Sequence, residues 1–321
     1  MAMEEILSVK NLKKYFVKGG FARQKETVRA VDNISFSIKS GQTLVLAGES
    51  GSGKTTVARL ILRSTEPESG DITFDGIKIT NDAPSLKKIR TECQMIHQDP
   101  YASVDPRMKI SDIVREPLDI HDIGKPSERR DLVFDSLRDV KLDPEEIASK
   151  YPHMLSGGQR QRVAIARAIA TKPKLIIADE PVSMLDVSVR VGILELIKEL
   201  QNKHGISFLY ITHDLSTARY VGHEISILYL GKIVETGLIN DVLLHPRHPY
   251  TQALMDSISE PNPDNLQKEK KIRINDPIKT DVYQGCRFRA RCPYAIEKCK
   301  QEPELEPSGD KRSVACFVKI D

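Results

Sequence analysis

The chain has 321 residues, 40% hydrophobic and 29% charged, with a net charge of +3 at pH 7. That length suits one large α/β domain with an appendage, or two modest domains. The mild charge makes no electrostatic case for nucleic acid, and no apolar run approaches the ~18 residues of a membrane span.

The start, Met1-Ala2-Met3-Glu4-Glu5, lacks the basic-then-apolar pattern of a secretion signal, so a cytoplasmic location is expected. Ile6 to Phe16 and Val28 to Ile38 alternate apolar and polar residues, as half-buried antiparallel strands do. Leu44 to Ala47 reads as a short buried strand, and an amphipathic helix continues through Val57 to Leu62. Between them stands G-x-x-x-x-G-K-T, the phosphate-cradling loop Gly48-Glu49-Ser50-Gly51-Ser52-Gly53-Lys54-Thr55, followed by Thr56. Its glycines let backbone N–H groups turn inward around a β-phosphate, and the helix dipole adds positive potential at the same place. Lys54 is expected to reach the β/γ oxygens, and Thr55 to ligate Mg²⁺.

Asp71 to Thr80 reads as a hairpin turning at Asp75-Gly76, and Cys93 to His97 as a short strand. Residues 101–170 are mainly helical in pattern. Leu175 to Ala178 and Ser207 to Thr212 are continuous apolar runs typical of buried parallel strands, with a helix over Val187 to Gln201 between them. The first run delivers Asp179 and Glu180 at its C-terminal end, where ligands sit in α/β sheets. Asp179 is placed to hold Mg²⁺, and Glu180 to polarise an attacking water. Leu155-Ser156-Gly157-Gly158-Gln159 opens another helix, with Ser156 as N-cap and two glycines permitting close approach of an anion. Two phosphate-binding helix ends on one chain are explained if two copies face head to tail, each completing the other's site.

Here the chain resembles the ATP-binding subunits of ABC transporters, over about its first 250 residues. The resemblance implies a P-loop NTPase of the ABC type: a mixed sheet core, an antiparallel β subdomain and a helical subdomain at about 101–170 that carries the signature Leu155–Gln159. It implies that Tyr15 stacks on adenine, with Phe16 as competitor. It also implies that Gln98 links Mg²⁺ and water to the membrane partner, and that His213 grips the γ-phosphate. Ser183-Met184-Leu185-Asp186 resembles the family's loop between monomers, with Met184 in place of the usual alanine. ATP would therefore meet Ser156, Gly157, Gly158, Gln159 and Asp186 in trans.

His248-Pro249-Tyr250 precedes an expected helix, Thr251 to Ser257, and resembles the hallmark of oligopeptide- and dipeptide-type importers. The family reading gives an ATPase domain over residues 1–259, a polar linker over 260–275 and a cysteine-rich module over 276–321. The linker's Lys268–Lys271 run is expected to be a solvated face. So short a module buries too little surface to fold unaided, which argues for a metal staple. Cys286, Cys292, Cys299 and Cys316 are spaced C-x5-C-x6-C-x16-C, without the C-x2-C knuckles of zinc ribbons. They resemble the cysteine motif of the same importers, some of which hold a [4Fe–4S] cluster. That cluster is favoured, with Zn²⁺ and free thiols as alternatives; Arg287, Arg289 and Arg291 either offset its charge or face water. Cys93 is expected to be a buried small hydrophobe.

The resulting expectation is an ATPase that energises a peptide importer from the cytoplasmic face of the cell membrane. It would be bound to permease subunits and paired with a second ATPase subunit, a heterodimer before a homodimer. An extracytoplasmic substrate-binding protein would be an indirect partner. The alternative is a soluble ABC-type ATPase acting on nucleic acid or ribosomes.

Overall fold

The computed structural model describes residues 4–18, 26–100, 104–257, 283–309 and 311–318. The linker expected over 260–275, with its lysine run, lies outside the described residues, as do 276–282 of the cysteine-rich segment.

Strands β1 (Glu5–Lys18) and β2 (Glu26–Lys39) pair antiparallel along their length, from Glu5 opposite Lys39 to Lys18 opposite Glu26. After β3 (Thr43–Ala47) and α1 (Lys54–Ile61), β4 (Ser69–Phe74) joins the free edge of β1 and turns into β5 (Ile77–Lys78). These four form an antiparallel sheet ordered β2-β1-β4-β5. Helix α2 (Ala83–Glu92) is capped by Asp82, whose carboxylate accepts the Ser85 N–H, and leads into β6 (Cys93–Ile96). Helices α3 (Ile110–Ile120), α4 (Arg129–Asp139), α5 (Pro144–Ile147) and α6 (Gly157–Ile169) fill the stretch expected to be helical. Then come β7 (Leu175–Asp179), α7 (Val187–His204), β8 (Ser207–Thr212), α8 (Leu215–Val221) and the hairpin β9 (Glu224–Tyr229)–β10 (Lys232–Leu238). Helices α9 (Ile239–Leu244) and α10 (Pro249–Ser257) follow, and two short strands, β11 (Glu306–Pro307) and β12 (Ser313–Val314), close the described chain.

The second sheet is ordered β11-β12-β10-β9-β3-β8-β7-β6. Its centre is parallel, from β9 through β3, β8 and β7 to β6, and β10 and β12 add antiparallel pairs. Alternation along β3 divides the interior: Val45 and Ala47 face one core, Leu44 and Leu46 the other. The first core receives the helical subdomain and the second receives α1 and the antiparallel sheet. Cys93 lies buried in that second core, and its environment pushes the thiol's pKa far above the ordinary value.

The cysteine-rich segment does not stand apart from the ATPase body. Its strand β12 extends the main sheet through β10, and the Ala315 N–H donates to the Val234 carbonyl at 2.8 Å. Phe288 is fully buried, edge-on to Tyr229 at 5.3 Å and beside Tyr250 at 5.5 Å. Arg312 pairs with the buried Glu235. A metal staple is the expected remedy for a segment too short to fold unaided; the segment also borrows a core and a sheet edge from the ATPase body.

Candidate active site

Every expected nucleotide residue of the parallel strands sits at a strand's C-terminal end. The phosphate loop follows β3, Gln98 follows β6, Asp179 and Glu180 end β7, and His213 follows β8. Parallel order β3-β8-β7-β6 brings the four ends side by side.

The loop is held by its neighbours. A Cβ on Gly48 would meet the Leu228 carbonyl at 2.1 Å, and one on Gly53, at φ +111°, the Ala30 carbonyl at 2.0 Å. Only glycine fits such close backbone approach. The β9–β10 turn clamps the loop from below: the Gly231 N–H donates to the Ser52 carbonyl at 2.8 Å, and the Asp32 N–H to the Gly231 carbonyl at 2.9 Å. Lys54 is buried, with Nζ donating to the carbonyls of Gly48 (2.7 Å) and Glu49 (2.9 Å). Burial lowers its pKa, opposed by the charges of Glu180, Asp179 and Glu49. The Ser52 hydroxyl is buried without a hydrogen-bond partner, a polar atom facing a loop built for oxyanions.

Burial raises the pKa of Asp179, the Thr55 hydroxyl opposes it with a hydrogen bond, and the Glu180 charge adds to the rise. These two oxygens, one hydroxyl and one carboxylate beside a phosphate loop, fit a hard, oxygen-loving Mg²⁺. Glu180 adopts φ +48°, a left-handed backbone that costs roughly 1–2 kcal/mol for a non-glycine residue. Its carboxylate is held from both sides: Gln98 Nε2 donates to Oε2 at 3.0 Å, and His213 Nδ1 lies 2.9 Å from Oε1. The left-handed backbone and the two polar neighbours together fix the direction of the carboxylate.

Tyr15 is tied to the antiparallel sheet by its hydroxyl, which donates to Asp32 Oδ1 at 2.6 Å. Burial, with Asp32 beside it, pushes the phenol up to about 12. The Arg29 guanidinium lies over the Tyr15 ring at 5.7 Å and over Tyr283 at 5.0 Å; Phe16 is exposed. The signature forms a complete capping box. Gln159 N–H donates to Ser156 Oγ at 3.3 Å, and Ser156 N–H to Gln159 Oε1 at 3.0 Å. Gly158 has a packing reason that the sequence did not show: a Cβ there would come within 2.7 Å of Val189 Cγ1. Met184, Asp186 and Val187, at the mouth of α7, are exposed.

Residues 31–183 match the ABC transporter family, and residues 234–299 match the oligopeptide/dipeptide transporter C-terminal region. A probable peptide ABC transporter ATP-binding protein, y4tS of Sinorhizobium fredii, is 41% identical over 98% of this chain and 90% of its own length. The oligopeptide transport ATP-binding protein AppF of Bacillus subtilis is 41% identical over 98% of both chains. The chain belongs to the ATP-binding proteins of the oligopeptide/dipeptide ABC transporters. Among solved structures, a dimeric ABC transporter cassette, MJ0796, superposes with a TM-score of 0.64 at 33% identity, covering 73% of this chain and 98% of that one. The cassette cbiO1 of Clostridium perfringens gives 0.65 at 26% identity, covering 75% and 92%. This ATP-binding subunit has the ABC-type P-loop fold and hydrolyses ATP. No helix among its described residues is long and apolar enough to cross a membrane.

The structure adds members that sequence reasoning missed. Tyr250, third residue of the His-Pro-Tyr motif, accepts the Glu49 N–H on its hydroxyl at 2.8 Å and so props the phosphate loop. His248 is buried, and its Nδ1 accepts the Tyr250 N–H at 3.0 Å. Arg287 and Arg291, expected either to offset a cluster or to face water, do not face water. Their side chains are buried, Arg287 against Asp32 and Arg291 against Glu49.

Cys286, Cys292, Cys299 and Cys316 all line one small cavity of about 10 Å³, together with His248, Phe288 and Arg289. Burial pushes the Cys286 thiol up to about 11, and also raises Cys292 and Cys316. Among the described residues no three His, Cys, Asp or Glu form a group that could hold a metal ion. The expected cysteine metal site therefore has a shared cavity and a thiol donor set, without a ready-made coordination sphere for one ion.

Proposed function

We propose that this ATPase energises a peptide importer as a peripheral subunit on the cytoplasmic face of the membrane. The observation that carries the catalytic reading is Glu180, held between Gln98 and His213 and electrostatically linked to Lys54. In this reading ATP lies along Glu49 to Thr56, with Lys54 leaving the loop carbonyls for the β/γ oxygens and Tyr15 against the adenine. Thr55, Asp179 and Gln98 would hold Mg²⁺, which would neutralise phosphate charge. A water attacks the γ-phosphorus, its proton passes to Glu180, and the bond to the β-phosphate oxygen breaks to leave ADP. His213 and Gln98 keep the carboxylate aimed. Ser156, Gly157, Gly158, Gln159 and Asp186 of a second cassette close over the same triphosphate. Support comes from the free capping-box helix end, from the exposed loop around Asp186, and from the dimeric state of the MJ0796 cassette.

Peptide as the cargo rests on similarity along the whole chain to proteins named for peptide transport, including the dipeptide transport protein DppF of Haemophilus influenzae, 40% identical over 97% of this chain. Permease subunits, a second ATPase and, indirectly, an extracytoplasmic binding protein are the partners this implies. Glu180→Gln is expected to bind ATP, accumulate a nucleotide-bridged dimer on gel filtration and lose about 10²–10⁴-fold in ATPase rate. Unimpaired turnover removes Glu180 from its role. Recovery of the native protein with ribosomes or DNA, without integral membrane proteins, favours the alternative soluble ATPase.

For the cysteine cavity we favour a [4Fe–4S] cluster, held by Cys286, Cys292, Cys299 and Cys316. The reading rests on the importer-type spacing of the four cysteines and on their common place around one small cavity; four thiolates suit such a cluster. It would serve as a structural or electron-holding group. Anaerobically purified protein is expected to be brown and to contain iron and sulfide; colourless protein with stoichiometric zinc overturns this.

A further inference from the structure

Arg291 comes from the cysteine-rich segment, yet it ends in the phosphate loop. Its Nη2 and Nη1 donate to the two Glu49 oxygens at 3.1 and 3.2 Å, a two-pronged pairing. Nη1 also reaches the Tyr229 hydroxyl at 3.3 Å, and the guanidinium lies 5.6 Å from the Phe288 ring centre. Only 6% of the Arg291 side chain is exposed, against 28% for Glu49. Glu49 is a carboxylate inside a loop that must receive a polyanion, and it interacts electrostatically with Lys54. Left alone, it repels phosphate and competes with phosphate for the Lys54 ammonium.

We propose that Arg291 is a positioning residue of the nucleotide site, neutralising Glu49 and holding it aside so that Lys54 is available to the triphosphate. The backbone supports the same division of labour, because the Glu49 N–H is occupied by the Tyr250 hydroxyl. Both prongs of this brace come from beyond the phosphate loop's own sheet and helix. Arg291 directly precedes Cys292, so a disturbance of the cysteine cavity reaches the loop through one side chain. The proposal rests on nucleotide binding at Gly48–Thr56, and its test separates the two.

Dissociation constants for Mg-ADP and a non-hydrolysable ATP analogue are measured by calorimetry on the full chain. The variants are Arg291→Ala, Arg291→Lys, Glu49→Gln and the double change Arg291→Ala with Glu49→Gln. Arg291→Ala is expected to weaken binding by about five- to tenfold, and adding Glu49→Gln to recover most of that loss. Arg291→Lys, which keeps the charge and loses the fork, is expected to fall between. In turnover, Arg291→Ala raises KM more than it lowers kcat. Wild-type affinity in Arg291→Ala overturns the proposal. So does equal weakness with and without Glu49→Gln, which marks Arg291 as fold support alone. If Arg291→Ala does not fold, wild-type affinity in Arg291→Lys overturns it, and a loss in Arg291→Lys that Glu49→Gln reverses sustains it. Undiminished binding in Lys54→Ala instead refutes the nucleotide site itself.

Discussion

Glu180, the proposed base, shows how neighbours can fix a single carboxylate. Its left-handed backbone is a local cost, and Gln98 and His213 hold the carboxylate against it from the segments that follow two different strands. Tyr250 does comparable work on the binding side, because its hydroxyl satisfies a loop N–H that has no partner in a helix or sheet. Tyr250→Phe keeps the ring packing and removes only that acceptor. A fully buried amide left unpaired costs about 1–3 kcal/mol; the Glu49 amide is half-buried, so the variant is expected to lose less than that, to melt lower and to bind nucleotide more weakly. Thermal denaturation with and without Mg-ADP separates the two effects. An unchanged melting curve and affinity would show that water replaces the phenol without loss.

Among the elements, β12 and the Glu235–Arg312 pair explain how the cysteine-rich segment is attached. Glu235 is fully buried on β10 and accepts the N–H groups of Arg247 and His248 at 3.0 Å each, besides the guanidinium of Arg312. Arg312 also donates to the Asp241 and His245 carbonyls. Arg312→Met leaves a buried carboxylate short of its cation, an error that costs about 3–5 kcal/mol when a buried pair is broken. Urea unfolding followed by tyrosine fluorescence is expected to show an unfolding free energy lower by that amount; a change near zero would mean that the two backbone donors suffice. The strands and helices of the ATPase body were legible because their patterns are strong. Ser207–Thr212 is a strand of the expected bounds, and the run at Leu175 extends only one residue further, to Asp179. Helix α2 and strands β9 and β10 were not read, although Asp82 followed by Pro84 is a capping signal. The β9–β10 turn, Leu230-Gly231, places two successive residues at positive φ, and Leu230 gives no warning of it.

Across the whole molecule, residues adjacent in function but remote in sequence were the hardest to foresee. The phosphate loop, Asp179 and Glu180 announce themselves at the ends of apolar strands, whereas His213 was read only through the family resemblance. Arg287 and Arg291 carry no such mark. Their charges suit a cluster, water or a distant carboxylate equally well, and only the docking of Phe288 against Tyr229 and Tyr250 selects Asp32 and Glu49. The cysteines present the converse case: the fold brings all four to the lining of one small cavity, yet among the described residues no three His, Cys, Asp or Glu form a group that could hold a metal ion.

The place of β12 beside β10 also sets an order of events during synthesis. Strand β10 leaves the ribosome long before Ser313 and Val314 do, and until they arrive one of its edges offers unpaired backbone groups to any passing strand. A nascent chain stalled in that interval would hold a finished phosphate loop next to an open seam. Messenger or chaperone conditions that slow translation over the last stretch should therefore raise aggregation of the newborn protein rather than lower its turnover.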